Sequence, residues 1–272
     1  NRTVNLVDSL PVAYLDVNSN QAYTIGGTGV LTGNMSLRKA GTGTLTINTR
    51  NNYSGKTIVE AGTLVMKYAP SATNNGGIGT NNTAIGNFVV RDSATIQVTT
   101  ANESTERSLS LAGTAGGLIN VTATLYWNGI ITGTKLTKLG TGLLHIGNNN
   151  TTLNETVIRA GTIKIDDAAA VPYGIGKKVT LMGGTLETVN SIGSYLASNH
   201  AIEVPLGYSG TVIAGARCEY NGVLTGDGVL NWNTDYIRSY INGNWSAFSG
   251  NINLTKNGAN STYEDKFIFN NS

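Results

Sequence analysis

The chain is poor in the residues that most compact enzyme domains depend on. Among its 272 residues it has one cysteine, four prolines and two histidines. A lone Cys218 excludes an internal disulfide, so no covalent cross-link holds this fold together. His145 and His200 stand far apart, and neither belongs to a His-x-x-x-His or cysteine-containing pattern, so no metal-binding motif is present and no metal or cofactor is expected. Charged residues are 12% of the chain, about half of the usual quarter. With a net charge of +2, there is no broad field for nucleic acid or an anionic membrane surface. No apolar run approaches the roughly 18 residues of a spanning helix, so this segment is not expected to insert in a membrane. Asn1-Arg2-Thr3 does not resemble a signal peptide, and no initiating Met is present, which suits a mature product or an excised piece flanked by further domains. A Gly-x-Ser-x-Gly signature is also missing.

What the chain has instead is glycine, asparagine and threonine arranged in repeats. Residues 37–67, LRKAGTGTLTINTRNNYSGKTIVEAGTLVMK, hold three short strand-like runs, Thr44 to Ile47, Lys56 to Glu60 and Thr63 to Lys67, separated by Asn- and Gly-containing turns. Gly43-Thr44-Leu45 recurs as Gly62-Thr63-Leu64, 19 residues on. A strand-helix-strand unit needs about 30 residues, so this interval suits one rung of a β-solenoid. A second copy runs from Leu136 to Ile165, where Gly142 and Gly161 are again 19 apart. A worn third copy begins at Gly222-Val223-Leu224-Thr225-Gly226, echoing Gly29 to Gly33, and continues through Phe248 to Leu254, echoing Tyr53 to Val59.

Alternation sorts the side chains, because successive strand residues point to opposite faces. Leu45 with Ile47 and Leu64 with Met66 face inward, as do Ile163 with Ile165. The strand Lys56 to Glu60 is ambiguous alone. The third copy resolves it: Asn251 and Asn253 belong outside, so Ile252 and Leu254 face in, and by alignment so do Thr57 with Val59 and Thr156 with Ile158.

These residues resemble the autotransporter-associated β-strand repeat, whose pattern is a lysine, Gly-x-Gly, Leu-x-Leu, Asn-Tyr-Ser-Gly, a threonine and Ala-Gly-Thr-Leu. Lys39, Gly41, Gly43, Leu45, Tyr53, Ser54, Gly55, Thr57, Ala61, Gly62, Thr63 and Leu64 all fit. The second copy supplies Lys138, Gly140, Gly142, Leu144, Thr156, Ala160, Gly161 and Thr162, and departs at Thr152-Leu153-Asn154. The resemblance implies an all-β, right-handed parallel β-helix with rungs of about 19–23 residues, found in long secreted or surface-displayed bacterial proteins. It carries no catalytic residues.

Taken in order, residues 1–272 read as a single β-helix domain. Residues 1–25 are its N-terminal cap or first rungs, and residues 208–272 are aromatic-rich C-terminal rungs or a cap. The stretch SATNNGGIGTNNTAI after Pro70 reads as a projecting loop. Ile192 to His200 is the one plausible helical turn.

Two clusters could carry chemistry. Trp232, Tyr236, Tyr240 and Trp245, with Asp235 and Arg238 among them, either plug the end of the solenoid or form a ligand-binding platform for glycans, since sugar C–H faces lie on aromatic rings. Asp166-Asp167 beside Arg159 and Lys164 is the best local set for acid-base work on polysaccharides, although adjacent carboxylates on an extended strand point in different directions. Gly226-Asp227-Gly228 lacks the nonapeptide period of a calcium β-roll, and the Gly-Thr-Gly triplets precede no helix that could bind phosphate. The expected function is a non-catalytic stalk or adhesin-like segment presenting loops or an aromatic end to a glycan or host surface protein. The alternative is a carbohydrate-active β-helix enzyme or its accessory module.

Overall fold

The computed structural model describes residues 2–147, 153–167, 178–190, 196–198, 200–215, 218–234, 238–256 and 266–269. Its contacts divide the chain into two compact units, Asn1–Thr137 and Lys138–Ser272. Each is a parallel β-solenoid, and no helix occurs among the described residues.

In the first unit, one face stacks strands Arg2–Leu6, Tyr23–Gly27, Thr44–Ile47, Thr63–Met66, Thr95–Val98 and Gly117–Val121 in that order. A second, six-stranded face stacks Tyr14–Asn18, Ser36–Ala40, Thr57–Val59, Phe88–Arg91, Leu109–Ala112 and Ile131–Gly133. The third side is sparser, with Leu10–Pro11 on Leu31–Thr32 and Glu103–Thr105 on Thr124–Trp127. The second unit repeats the plan. Glu155–Ile158, Lys178–Leu181, Ala201–Glu203 and Leu224–Thr225 form one face, and the strands from Leu143–Ile146 through Asn251–Lys256 form another. The third face holds Leu196–Ser198, Cys218–Tyr220, Arg238–Ile241 and Lys266–Phe269.

The 19-residue interval is the stacking register itself. Thr44 pairs with Thr63, Leu45 with Leu64 and Ile47 with Met66; in the second copy Leu143 pairs with Thr162 and Ile146 with Ile165. Like residues therefore sit on like, and the inner wall is a set of aliphatic ladders. Leu45, Leu64, Ile96 and Ile119 follow one another up a face and are all buried. Each such side chain contributes roughly 1.5–3 kcal/mol once the neighbouring coil covers it. Thr57, Val59, Thr156 and Ile158 face in as alternation requires, and the Thr57 hydroxyl is matched inside by the buried Tyr53 phenol at 2.9 Å.

Two expectations are corrected. The stretch read as a helical turn contains strand Leu196–Ser198, paired in parallel with Cys218–Tyr220; its alternating content suits a ladder once a neighbouring strand supplies partners. The excursion after Pro70 is anchored more than it projects. Gly76 to Gly79 are buried, and only the two bends at Ala72–Asn74 and Thr83–Ile85 are exposed. Polarity misled here, because the polar groups bond back to the solenoid: Asn51 donates to the Gly77 carbonyl, the Glu103 carboxylate accepts from the Ala69 N–H, and that of Glu106 accepts from Ala72 and Asn81.

Ile252 and Leu254 stack on Leu230 and Trp232 and so point inward, yet they stay 36% and 42% exposed because no described strand covers them. Position in the stack therefore sets the energetic weight of an inner residue. Leu45→Ala should destabilise the chain by about 2–5 kcal/mol, and Ile252→Ala by less than about 1 kcal/mol. Chemical-denaturation midpoints test this; equal losses at the two positions would contradict burial by the next coil.

Candidate functional site

The repeat is built around a buried lysine. Lys39 ends the inner row of strand Ser36–Ala40, on the same side as Leu37, so alternation drives its stem into the core, where it is 1% exposed. Its ammonium emerges at the corner and donates to three backbone carbonyls, Ala40 at 2.9 Å, Gly41 at 2.8 Å and Ala61 at 3.0 Å. The first two belong to the corner following Lys39; the third belongs to the corner of the next coil. The second copy reproduces this: Lys138 donates to Leu139 at 2.8 Å, Gly140 at 2.7 Å and Ala160 at 3.1 Å. One ammonium thus ties two stacked corners together.

The corner glycines make room for it. Gly62 and Gly161 hold φ of 70° and 63°, a left-handed conformation that favours glycine. A Cβ at Gly62 would run into the Gly41 and Gly43 carbonyls and the Lys39 ammonium, and one at Gly161 into the Gly140 and Gly142 carbonyls. Burial draws the lysines below their ordinary value of 10.5, Lys138 to about 8. The carbonyls oppose that pull, since only an ammonium has the three N–H groups they use.

Arg107 repeats the principle on a larger scale. It is fully buried and donates to the carbonyls of Ile78 at 3.1 Å, Thr80 at 2.6 Å and Asn87 at 3.3 Å, fastening the excursion to the stack. Its guanidinium lies 5.8 Å from the centre of the Phe88 ring. Desolvation lowers its pKa, and the neighbouring Tyr53 phenol raises it. The sequence signal for these buried cations was available: Lys39 has the parity of Leu37, and Arg107 sits between Thr105 and Leu109.

The C-terminal aromatics are placed unequally. Trp232 is fully buried, and its indole N–H donates to Ser239 Oγ at 3.2 Å, beside a 2.7 Å bond between Ser239 and Thr234. Its ring packs 5.4 Å from Tyr220 and 5.6 Å from Trp245, so it offers no face to solvent. The alignment that sets Gly222 on Gly29 also sets Trp232 on Lys39, so in the worn third copy an indole and two hydroxyls fill the lysine's place. Tyr240 and Trp245 are half-buried. Asp235 and Tyr236 lie outside the described residues, as does the side chain of Arg238.

Of the acid-base cluster, Asp166 and Asp167 end strand Thr162–Asp167, with side chains outside the described set. Lys164 pairs with Glu187 at 2.8 Å, and Arg159 is exposed. No group of His, Cys, Asp and Glu among the described residues could hold a metal ion, and no helix there is long and apolar enough to cross a membrane. Cys218 is 2% exposed, with its thiol pushed up to about 12 by burial. His200 is also buried; its backbone carbonyl accepts from the Tyr220 hydroxyl, while its Nε2 has no partner among the described residues. Burial lowers this imidazole from 6.5 to about 4.

The passenger-associated-transport-repeat matches residues 37–66 and 136–165, which are the two lysine-clamped modules. Among curated proteins the chain is similar to the adhesin BmaC autotransporter of Brucella suis biovar 1 (strain 1330), at 30% identity over 216 residues. That alignment covers 73% of this chain and 6% of the relative, so the chain spans a small part of that protein's length. No solved structure matches the chain.

His200 gives the second unit a measurable acid response. Its folded value lies below the unfolded one, so the unfolded chain takes up the proton first. The stability tied to a neutral His200 is fully present above pH 6.5 and is lost as pH falls from 6.5 towards 4, by up to about 3 kcal/mol. Urea midpoints for parent and His200→Gln should converge across that window; parallel acid slopes would assign the response elsewhere.

Proposed function

We propose that the chain is a non-catalytic, repeat-built segment of a bacterial passenger that is secreted or held at the cell surface, where it works as an adhesin-like stalk. The observation that carries this reading is the coincidence of the two matched passenger repeats with the two clamped modules of a parallel solenoid. The similarity to an autotransporter adhesin supports it. A solenoid suits display because each coil adds about 4.8 Å without needing a thicker core, and its turns tolerate the exposed side chains that partners bind.

The surfaces offered to a host partner are the bends of the anchored excursion and the Pro205–Tyr208 turn. Ile85 is 61% exposed on the former, and Leu206 is 75% exposed on the latter. A glycan would instead use Tyr240 and Trp245 at the aromatic end, which among the described rings of the expected platform keep solvent access.

Beads coated with the full chain should adhere to host-cell monolayers severalfold above beads coated with a soluble control protein. Replacing Ile85, Leu206 and Tyr208 together with serine should remove most of that excess. A loss confined to Trp245→Ala, with matching loss on a glycan array, would select the glycan version. Absence of adhesion together with depolymerisation of a polysaccharide would overturn the proposal in favour of an enzyme.

A further inference from the structure

The aliphatic ladders alone do not define register. Inner positions recur every second residue, so a coil displaced by two residues still lays aliphatic on aliphatic: Leu45 would meet Met66 in place of Leu64, and the outward threonines would stay outward. Residues 48–56, which join the two coils of the first module, are rich in Asn and include Gly55, a composition able to absorb such a shift. The second module lacks the Tyr-Ser-Gly of this linker and keeps the lysine. The clamp is kept in both.

We propose that Lys39 and Lys138 are register-setting residues, each sensing whether the corner of the following coil stands directly above its own. The Ala40 and Gly41 carbonyls travel with Lys39 and are available in any register; Ala61, 22 residues away, is available in one. A two-residue slip moves that carbonyl by about 6.6 Å, leaving a buried ammonium one acceptor short. A buried ammonium with one N–H left unmet is penalised, whereas an apolar residue of similar volume is indifferent to the slip. A single buried polar group that sets register, as in coiled coils, is the best-attested use of such burial. The left-handed glycines complete the device, because a Cβ at Gly62 would obstruct the carbonyls that the ammonium must reach in the native register.

Disulfide trapping in the full chain reads register directly. Thr46 and Val65 are native partners, so Thr46→Cys with Val65→Cys should close on oxidation. Thr44→Cys with Val65→Cys tests a slip of two residues; in the native register these positions are diagonal neighbours about 7–8 Å apart, beyond easy bridging. The native Cys218 is buried and should remain a spectator. With Lys39 present, closure of the native pair should exceed that of the slipped pair at least tenfold. In Lys39→Met, closure of the slipped pair should rise at least fivefold while circular dichroism still reports a parallel sheet. In the second module, Lys138→Met should act likewise on a native pair at His145 and Lys164 and a slipped pair at Leu143 and Lys164. A folded Met variant with the parental cross-linking pattern would overturn the proposal. So would Met variants of both modules that lose the sheet altogether, because the clamp would then be holding the fold rather than choosing its register.

Discussion

The alignment of one coil on the next turns on a buried ammonium held by backbone carbonyls where two stacked corners meet. Parallel strands gain their inner-face burial only from the coil above and the coil below, and the chain must turn sharply between faces to bring those coils into line. Such a turn points carbonyls at the core's rim, where that of Ala40 also accepts the Ser19 N–H, and a buried polar backbone group left short of partners is expensive. Lys39 and Lys138 answer three carbonyls each with one side chain. Their stems still pack as hydrocarbon.

The same economy runs through the rest of the molecule. Arg107, Lys39 and Lys138 are all buried, and their hydrogen bonds described above go to carbonyl oxygens. Dipoles fixed by the turns do the work that carboxylates do elsewhere, which helps explain how the chain tolerates buried cations with few charged residues overall. Ion pairs are found further out, as in the row of Asp16, Arg38 and Glu60 on one outer face. Partly exposed pairs of that kind contribute little individually, so the outer rows of amides and hydroxyls matter chiefly for keeping the surface wet. Asn253 donating to Asn231, 22 residues earlier, is one such step.

Much of the architecture was legible in the chain, and for a particular reason. Two copies with equal internal spacing, each alternating aliphatic and polar, leave few ways to bury Leu45, Leu64, Leu144 and Ile163 other than stacking them. The worn copy resolved the facing of Thr57, since asparagines at 251 and 253 favour solvent. The excursion after Pro70 misled because its polarity resembled that of a free loop; Glu103, Glu106 and Arg107, distant in sequence, supply the bonds that fold it down. Trp232 was open in the chain, where its company of tyrosines and charges suits either an end plug or a sugar platform, and its packing beside Ser239, Tyr220 and Trp245 turns it inward.

Sequence by itself determined the fold class, the stacking interval and the inner face, because each follows from a period that any reader of the chain can count. Tertiary structure alone decided what the lysine does, which aromatics remain exposed and how the excursion is anchored. The clamp and the anchored excursion rest on contacts between residues 22 to 34 apart, and Trp232 on neighbours nearer in sequence, Ser239, Tyr220 and Trp245; such contacts exist only once the chain has coiled. Local alternation sets the side of the strand on which a residue lies; the neighbouring coil sets what it meets there.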